Sequence, residues 1–163
     1  MTGDIVYLAS PYSHKDKFVE HIRFIKVCKA AGNLRRIGLS CHAPIASAHP
    51  ISQICDLPKD WSFWCDRDRA FLKVCKALVV LKLDGWDKSV GVAAELEEAR
   101  RMSLPIGWMS EDGSVTWDTI PEFVLDKLIS EGMNLPLMGS NLPYRGVHSG
   151  PANWMDTTEG VPL

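Results

Sequence analysis

Glu95 sits among apolar residues, and its neighbours supply what a carboxylate needs to do chemistry. Residues 89–100 read SVGVAAELEEAR. Along a helix, successive side chains step by about 100°. Val92, Leu96, Ala99 and Met102 then form one apolar arc. Glu97, Glu98, Arg100 and Arg101 fall outside it, and Glu95 falls inside. A carboxylate there loses hydration, so it needs partners or a task. Gly91, one turn earlier on nearly the same face, leaves open space where a substrate ring can sit. Ser89 stands at the N-cap position, and the free N–H groups of the first turn point at the same space. With the helix dipole, its hydroxyl suits an anion. This helix alone leaves two readings of Glu95 open. It is a nucleophile or base facing a pocket, or it borders the apolar face and snorkels or pairs with an arginine.

The elements that would position these residues alternate along the chain. Residues 5–9 read as a buried strand, followed by the turn Ser10-Pro11-Tyr12-Ser13. A helix is expected over 15–31, with Phe18, Ile22 and Ile25 on one face and Gly32-Asn33 as its stop. Residues 37–41 make a second strand, and a loop rich in Pro, Ala, Ser and His runs over 42–58. A helix over 60–75 carries Trp61 and Trp64. A strand over 77–83 is the clearest of all, and it leads into the helix over 89–102. A fourth strand over 105–109, a short one over 115–117 and a helix over 119–131 complete the pattern. This predicts an α/β fold: a single-domain, Rossmann-like, doubly wound parallel sheet of about four to five strands. The domain spans 1–132, and an irregular or partly disordered tail, whose first part is alternatively a cover for a pocket or a neighbouring subunit, spans 133–163. In such a sheet the ligand sits at the carboxyl ends of the strands, among the loops 10–14, 42–47 and 84–89.

Composition narrows the partners. The chain has 163 residues, a net charge of −2 and scattered Lys and Arg, with no basic stripe for a nucleic-acid polymer. No apolar run reaches membrane-spanning length, and the N-terminus lacks the basic and apolar regions of a signal peptide. Five cysteines without a CxxC pair argue against a disulfide framework and a zinc site, and suit a reducing cytoplasm. His42 and His49, seven apart, are expected at a pocket rim rather than on a metal, and no cofactor is implied. Trp86, in the loop before the third helix, is the preferred stacking surface for a base; Trp61 and Trp64 are further candidates.

Two stretches together, "YLASPYS" at residues 7–13 and "SVGVAAE" at 89–95, resemble the nucleoside 2-deoxyribosyltransferase superfamily. "DGWDKS" and "DWSFWCDRD" extend the likeness to a sparsely characterised domain family within it, over residues 5–106. The resemblance implies that Glu95 is the nucleophile and that Tyr7 orients it. It implies that Asp68 is an acid assisting at the base or the sugar. Lys76 departs from the pattern, which has Asp there. Position 89 separates two branches. Asp there touches a free 5′-hydroxyl in the transferases, and Ser touches a phosphate in the related 2′-deoxynucleoside 5′-phosphate N-hydrolases. Ser89 therefore points to a nucleoside 5′-monophosphate, with Ser10 and Ser13 as further donors. Cleavage of its base–sugar bond is the expected reaction. Base exchange and binding without chemistry are the alternatives. The same resemblance implies a homodimer or higher homo-oligomer.

Overall fold

A computed structural model of the chain describes residues 4–130 and 132. Five strands form one sheet: β1 (Ile5–Ala9), β2 (Ser40–His42), β3 (Ala77–Leu81), β4 (Ile106–Met109) and β5 (Val115–Trp117). Their order is β2-β1-β3-β4-β5. The first four run parallel, with Val6 opposite both Cys41 and Ala77, and Leu78 opposite Ile106. β5 returns antiparallel to β4, closing that edge. Five helices cover the faces: α1 (Lys17–Arg36), α2 (Pro44–Cys55), α3 (Trp61–Leu72), α4 (Val90–Arg101) and α5 (Glu122–Ser130).

The strands are apolar on both faces because both are covered, as parallel sheets require. Val6, Leu8, Val79 and Leu81 pack against Val27, Ala30 and Leu34 of α1 and Val124 and Leu128 of α5. Tyr7, Ala9, Leu78 and Val80 face the other way, onto Leu72 of α3 and Val92, Leu96 and Ala99 of α4. The two-residue period of β1 thus aims Tyr7 at the helix that carries Glu95. β1 leads outward to β2 and β3 leads the other way to β4, so the crossovers diverge between β1 and β3. That divergence opens a crevice at the strands' carboxyl ends.

Three expectations are corrected. α1 continues through Gly32 to Arg36 and ends before Gly38, whose φ is 80°. Its buried residues are Glu20, Val27, Ala30 and Leu34, while Phe18 is exposed. Packing of that face outweighs the roughly 1 kcal/mol that a helical glycine costs. The segment expected as loop holds α2, with Pro44 in its first turn and Pro50 inside it. Proline at the first position costs no hydrogen bond, since that N–H has no partner inside a helix. The strand expected over 37–41 is instead Ser40–His42. The expected tail, 133–163, lies outside the described residues.

Candidate active site

The crevice between β1 and β3 is a cavity of about 690 Å³. The loop after β1, Arg23 of α1, α2, α3 with the loop before it, and α4 with the turn leading into it wall the cavity. Glu95 lies at its floor and is 7% exposed. Its Oε1 accepts a hydrogen bond from the Tyr7 hydroxyl at 2.7 Å. Burial pushes the Glu95 carboxyl up to about 8; the Tyr7 hydrogen bond pulls it down, and Asp68 adds to the rise. Burial and the nearby carboxylates push the Tyr7 phenol far above its ordinary value, so Tyr7 remains a donor. Asp68, on α3, also lines the cavity and is 6% exposed. Burial raises it to about 6 against the pull of Arg67. Near neutrality the pair therefore keeps one proton, mainly on Glu95.

Replacing Tyr7 with Phe leaves the ring's packing and removes the hydrogen bond that lowers the Glu95 pKa. The Glu95 midpoint is expected to rise by about one unit. A carbon-13 NMR titration of the glutamate carboxyls, with Glu95→Gln to assign the signal, measures it.

The opposite end is the mouth of α4. Asp84-Gly85-Trp86 turns there through Gly85, at φ 79°, a conformation that suits glycine. Ser89 caps α4, its Oγ accepting from the Val92 N–H at 3.4 Å. Ser10 is buried, lines the cavity, and keeps its Oγ without a partner among the described residues. Three cations, Arg23, Lys59 and Lys88, also line the space. Arg23 donates to the carbonyls of Tyr12, Ser13 and Asp84 at 3.2, 2.9 and 2.8 Å. It thereby ties the loop after β1 to the turn after β3. Lys59 pairs with buried Glu20 at 2.7 Å, and Glu20 also accepts from the His14 N–H. The Tyr12 hydroxyl and His49 Nδ1 lie 2.7 Å apart. Lys88 is exposed beside Ser89; its N–H donates to Gly85 O at 3.1 Å, and its ammonium makes no hydrogen bond or ion pair with the described residues.

The structure thus brings Glu95, Asp68, Ser89, Gly91, Ser10 and Ser13 to one cavity, with Tyr7 directly behind Glu95. Trp86 is the exception. It packs on Trp108, ring centres 5.5 Å apart, and joins the core below the turn. Trp61 and Trp64 line the cavity instead. Gly91 also differs from expectation: a Cβ there would meet Trp61 at 3.6 Å, an ordinary contact, so the tryptophan occupies part of the space left by the glycine. Lys76 is exposed, and its N–H joins Ile5 O at 2.8 Å, so the departure at that position lies outside the cavity. The sequence reading missed Arg23, Lys59, Lys88 and Glu20. Only Lys88 carried a signal, its place beside the N-cap. Among the described residues no three His, Cys, Asp or Glu side chains are grouped to hold a metal, and no helix is long and apolar enough to cross a membrane.

A doubly wound sheet with two buried carboxyls lining a cavity at its switch point defines an α/β protein with a cavity where such folds place their ligands. Within that class, the chain belongs to the family described as a domain of unknown function, DUF1937, which it matches over residues 4–111. Among solved structures it is similar to a 2-deoxyribosyltransferase from the psychrotolerant bacterium Bacillus psychrosaccharolyticus. The two are 22% identical, with a TM-score of 0.46, over 76% of this chain and 81% of that one. No curated protein matches.

Proposed function

We propose that this protein is an N-glycosidase that cleaves the base–sugar bond of a nucleoside or deoxynucleoside 5′-monophosphate. The carrying observation is the Tyr7–Glu95 pair: a buried carboxyl, held by a phenol, at the floor of a cavity. Such a group has lost its water and gained an orientation, which is what attack on an electron-poor carbon requires. In the first step Glu95, in its ionised form, bonds to C1′. The C1′–N bond breaks, its electron pair leaves with the base, and Asp68 gives that base a proton. In the second step water attacks C1′, Glu95 departs with its electrons, and the water's proton returns to Asp68. Trp61 and Trp64 offer apolar faces for the base.

The α4 end supports a phosphate. Free N–H groups of the first turn, the Ser89 hydroxyl and the Ser10 hydroxyl, which has no partner among the described residues, are donors, and a hydroxyl at position 89 does not repel an anion as Asp would. Lys88 adds a charge at the rim. Lys88→Ala is expected to weaken binding of a 5′-monophosphate by about 3–30-fold and leave the matching nucleoside unaffected. Calorimetric titration of both ligands checks this.

The reading is tested by incubating the protein with ribo- and deoxyribonucleoside 5′-monophosphates and separating free base by chromatography. Release of a base with an equal amount of sugar phosphate supports it. A new nucleotide formed on adding a second free base would mean exchange instead. Recovery of every nucleotide intact would mean binding without chemistry.

A further inference from the structure

Arg67 does not line the cavity, and the reaction as proposed leaves it without a part. Neighbouring residues on a helix do not face each other, so its approach to Asp68 has to be imposed. Two anchors impose it. Its Nη2 donates to Ser47 Oγ on α2, and its guanidinium lies over the rings of Trp64 and Phe71, at 5.2 and 5.6 Å. The other nitrogen, Nη1, comes to 3.7 Å from Asp68 Oδ1. Both atoms are fully buried, and neither has a hydrogen-bond partner among the described residues. Opposite charges whose facing atoms are both buried interact more strongly than an exposed pair.

We propose that Arg67 is a positioning residue of this cavity: held by Ser47, Trp64 and Phe71, it presents one guanidinium nitrogen to Asp68 and fixes that carboxyl's place and charge beside Glu95. The other groups near Asp68 act differently. Glu95 on α4 and the Tyr7 phenol on β1 would each repel its negative charge when ionised. His42, at the end of β2, stacks on Phe71 at 3.9 Å, and burial with the Arg67 charge lowers it to about 4, so it is neutral. Cys75 is buried and its thiol is raised, so it is neutral too. Arg67 is then the cation that favours the ionised carboxylate, and it also spans two cavity walls, α2 and α3.

The test is a carbon-13 titration of the aspartate side chains in the wild type, Arg67→Gln, Arg67→Lys and Ser47→Ala, with Asp68→Asn assigning the signal. Arg67→Gln is expected to raise the Asp68 midpoint by about one unit or more. Arg67→Lys, which keeps a charge but cannot hold Ser47 and face Asp68 with separate nitrogens, should move it less in the same direction, as should Ser47→Ala, which loosens the anchor. An unmoved midpoint in folded Arg67→Gln overturns the proposal. Should that variant not fold, an unmoved midpoint in Ser47→Ala overturns it equally. The titration needs no turnover. If the wild type releases no base, the glycosidase reading fails while the role of Arg67 is still decided. If base is released, the acidic inflection of its pH profile should follow the Asp68 midpoint.

Discussion

Glu95→Gln is expected to lose about 10²–10⁴-fold in base release and, at pH 8, to melt at a higher temperature than the wild type. Both effects have one cause. The amide keeps the shape and can still accept from Tyr7, but it cannot bond to C1′ as a carboxylate. The stability change follows from proton linkage. The Glu95 carboxyl titrates near 8 in the folded chain against 4.5 for the ordinary group, so between those values the folded state holds a proton that the unfolded chain has released. Stability contributed by the neutral carboxyl is complete below about 4.5 and is lost as pH rises toward 8. The loss amounts to roughly 3–5 kcal/mol, and Gln avoids it. Thermal melts at pH 5 and pH 8 check this. The two proteins should agree within a few degrees at pH 5, and the variant should lead by roughly 5 °C or more at pH 8. A lower melting temperature for the variant at pH 8 would show that Glu95 is not a buried, proton-holding group.

Asp68→Asn is expected to lower base release by about 10²-fold and to change the form of its pH profile. In the wild type the productive state has Glu95 ionised and Asp68 protonated, the reverse of the prevailing state. Below about 6 Asp68 is already protonated, and the rate climbs as Glu95 ionises. Between about 6 and about 8 each gain at Glu95 is cancelled by an equal loss at Asp68, so the profile is flat. Above about 8 Glu95 is fully ionised, and the rate falls with the last protonated Asp68. Asparagine removes the fall and the plateau. The rate should then rise to a single inflection and stay level. That inflection should lie below the wild-type Glu95 value, because the charge of Asp68 helps to raise it. Initial rates from pH 4.5 to 9.5 measure the difference. An unchanged profile would remove Asp68 from the proton transfers.

The strands and α4 were legible because burial writes a period into the sequence. Residues 77–81 are apolar throughout since both faces are covered, and α4 repeats at helical spacing with one charged residue out of place. Glu95 was visible for that reason. α2 was not, because Pro44, Pro50 and His49 hide a helix that has an apolar cavity wall but no charged outer face. The grip of Arg23 on three carbonyls was also hidden, since those acceptors carry no side-chain identity. Trp86 illustrates the opposite failure. Its place in the loop was right, but the turn at Gly85 sends its ring to Trp108 in the core, and Trp61 reaches over Gly91 from the neighbouring helix. Sequence fixes which residues stand on a face; the direction of a loop side chain depends on contacts made across the fold.

The claim that Glu95 itself bonds to the sugar is tested most directly by trapping. A 2′-fluoro-2′-deoxyarabinonucleoside 5′-monophosphate has a carbon at C1′ that is slow to form and to lose its bond to the enzyme, because fluorine disfavours the positive transition state of both steps. Mass spectrometry of the quenched protein should find one added glycosyl 5-phosphate, mapping to the peptide that contains Glu95. Base release from that compound with no added mass, or with the mass on another residue, would contradict the account.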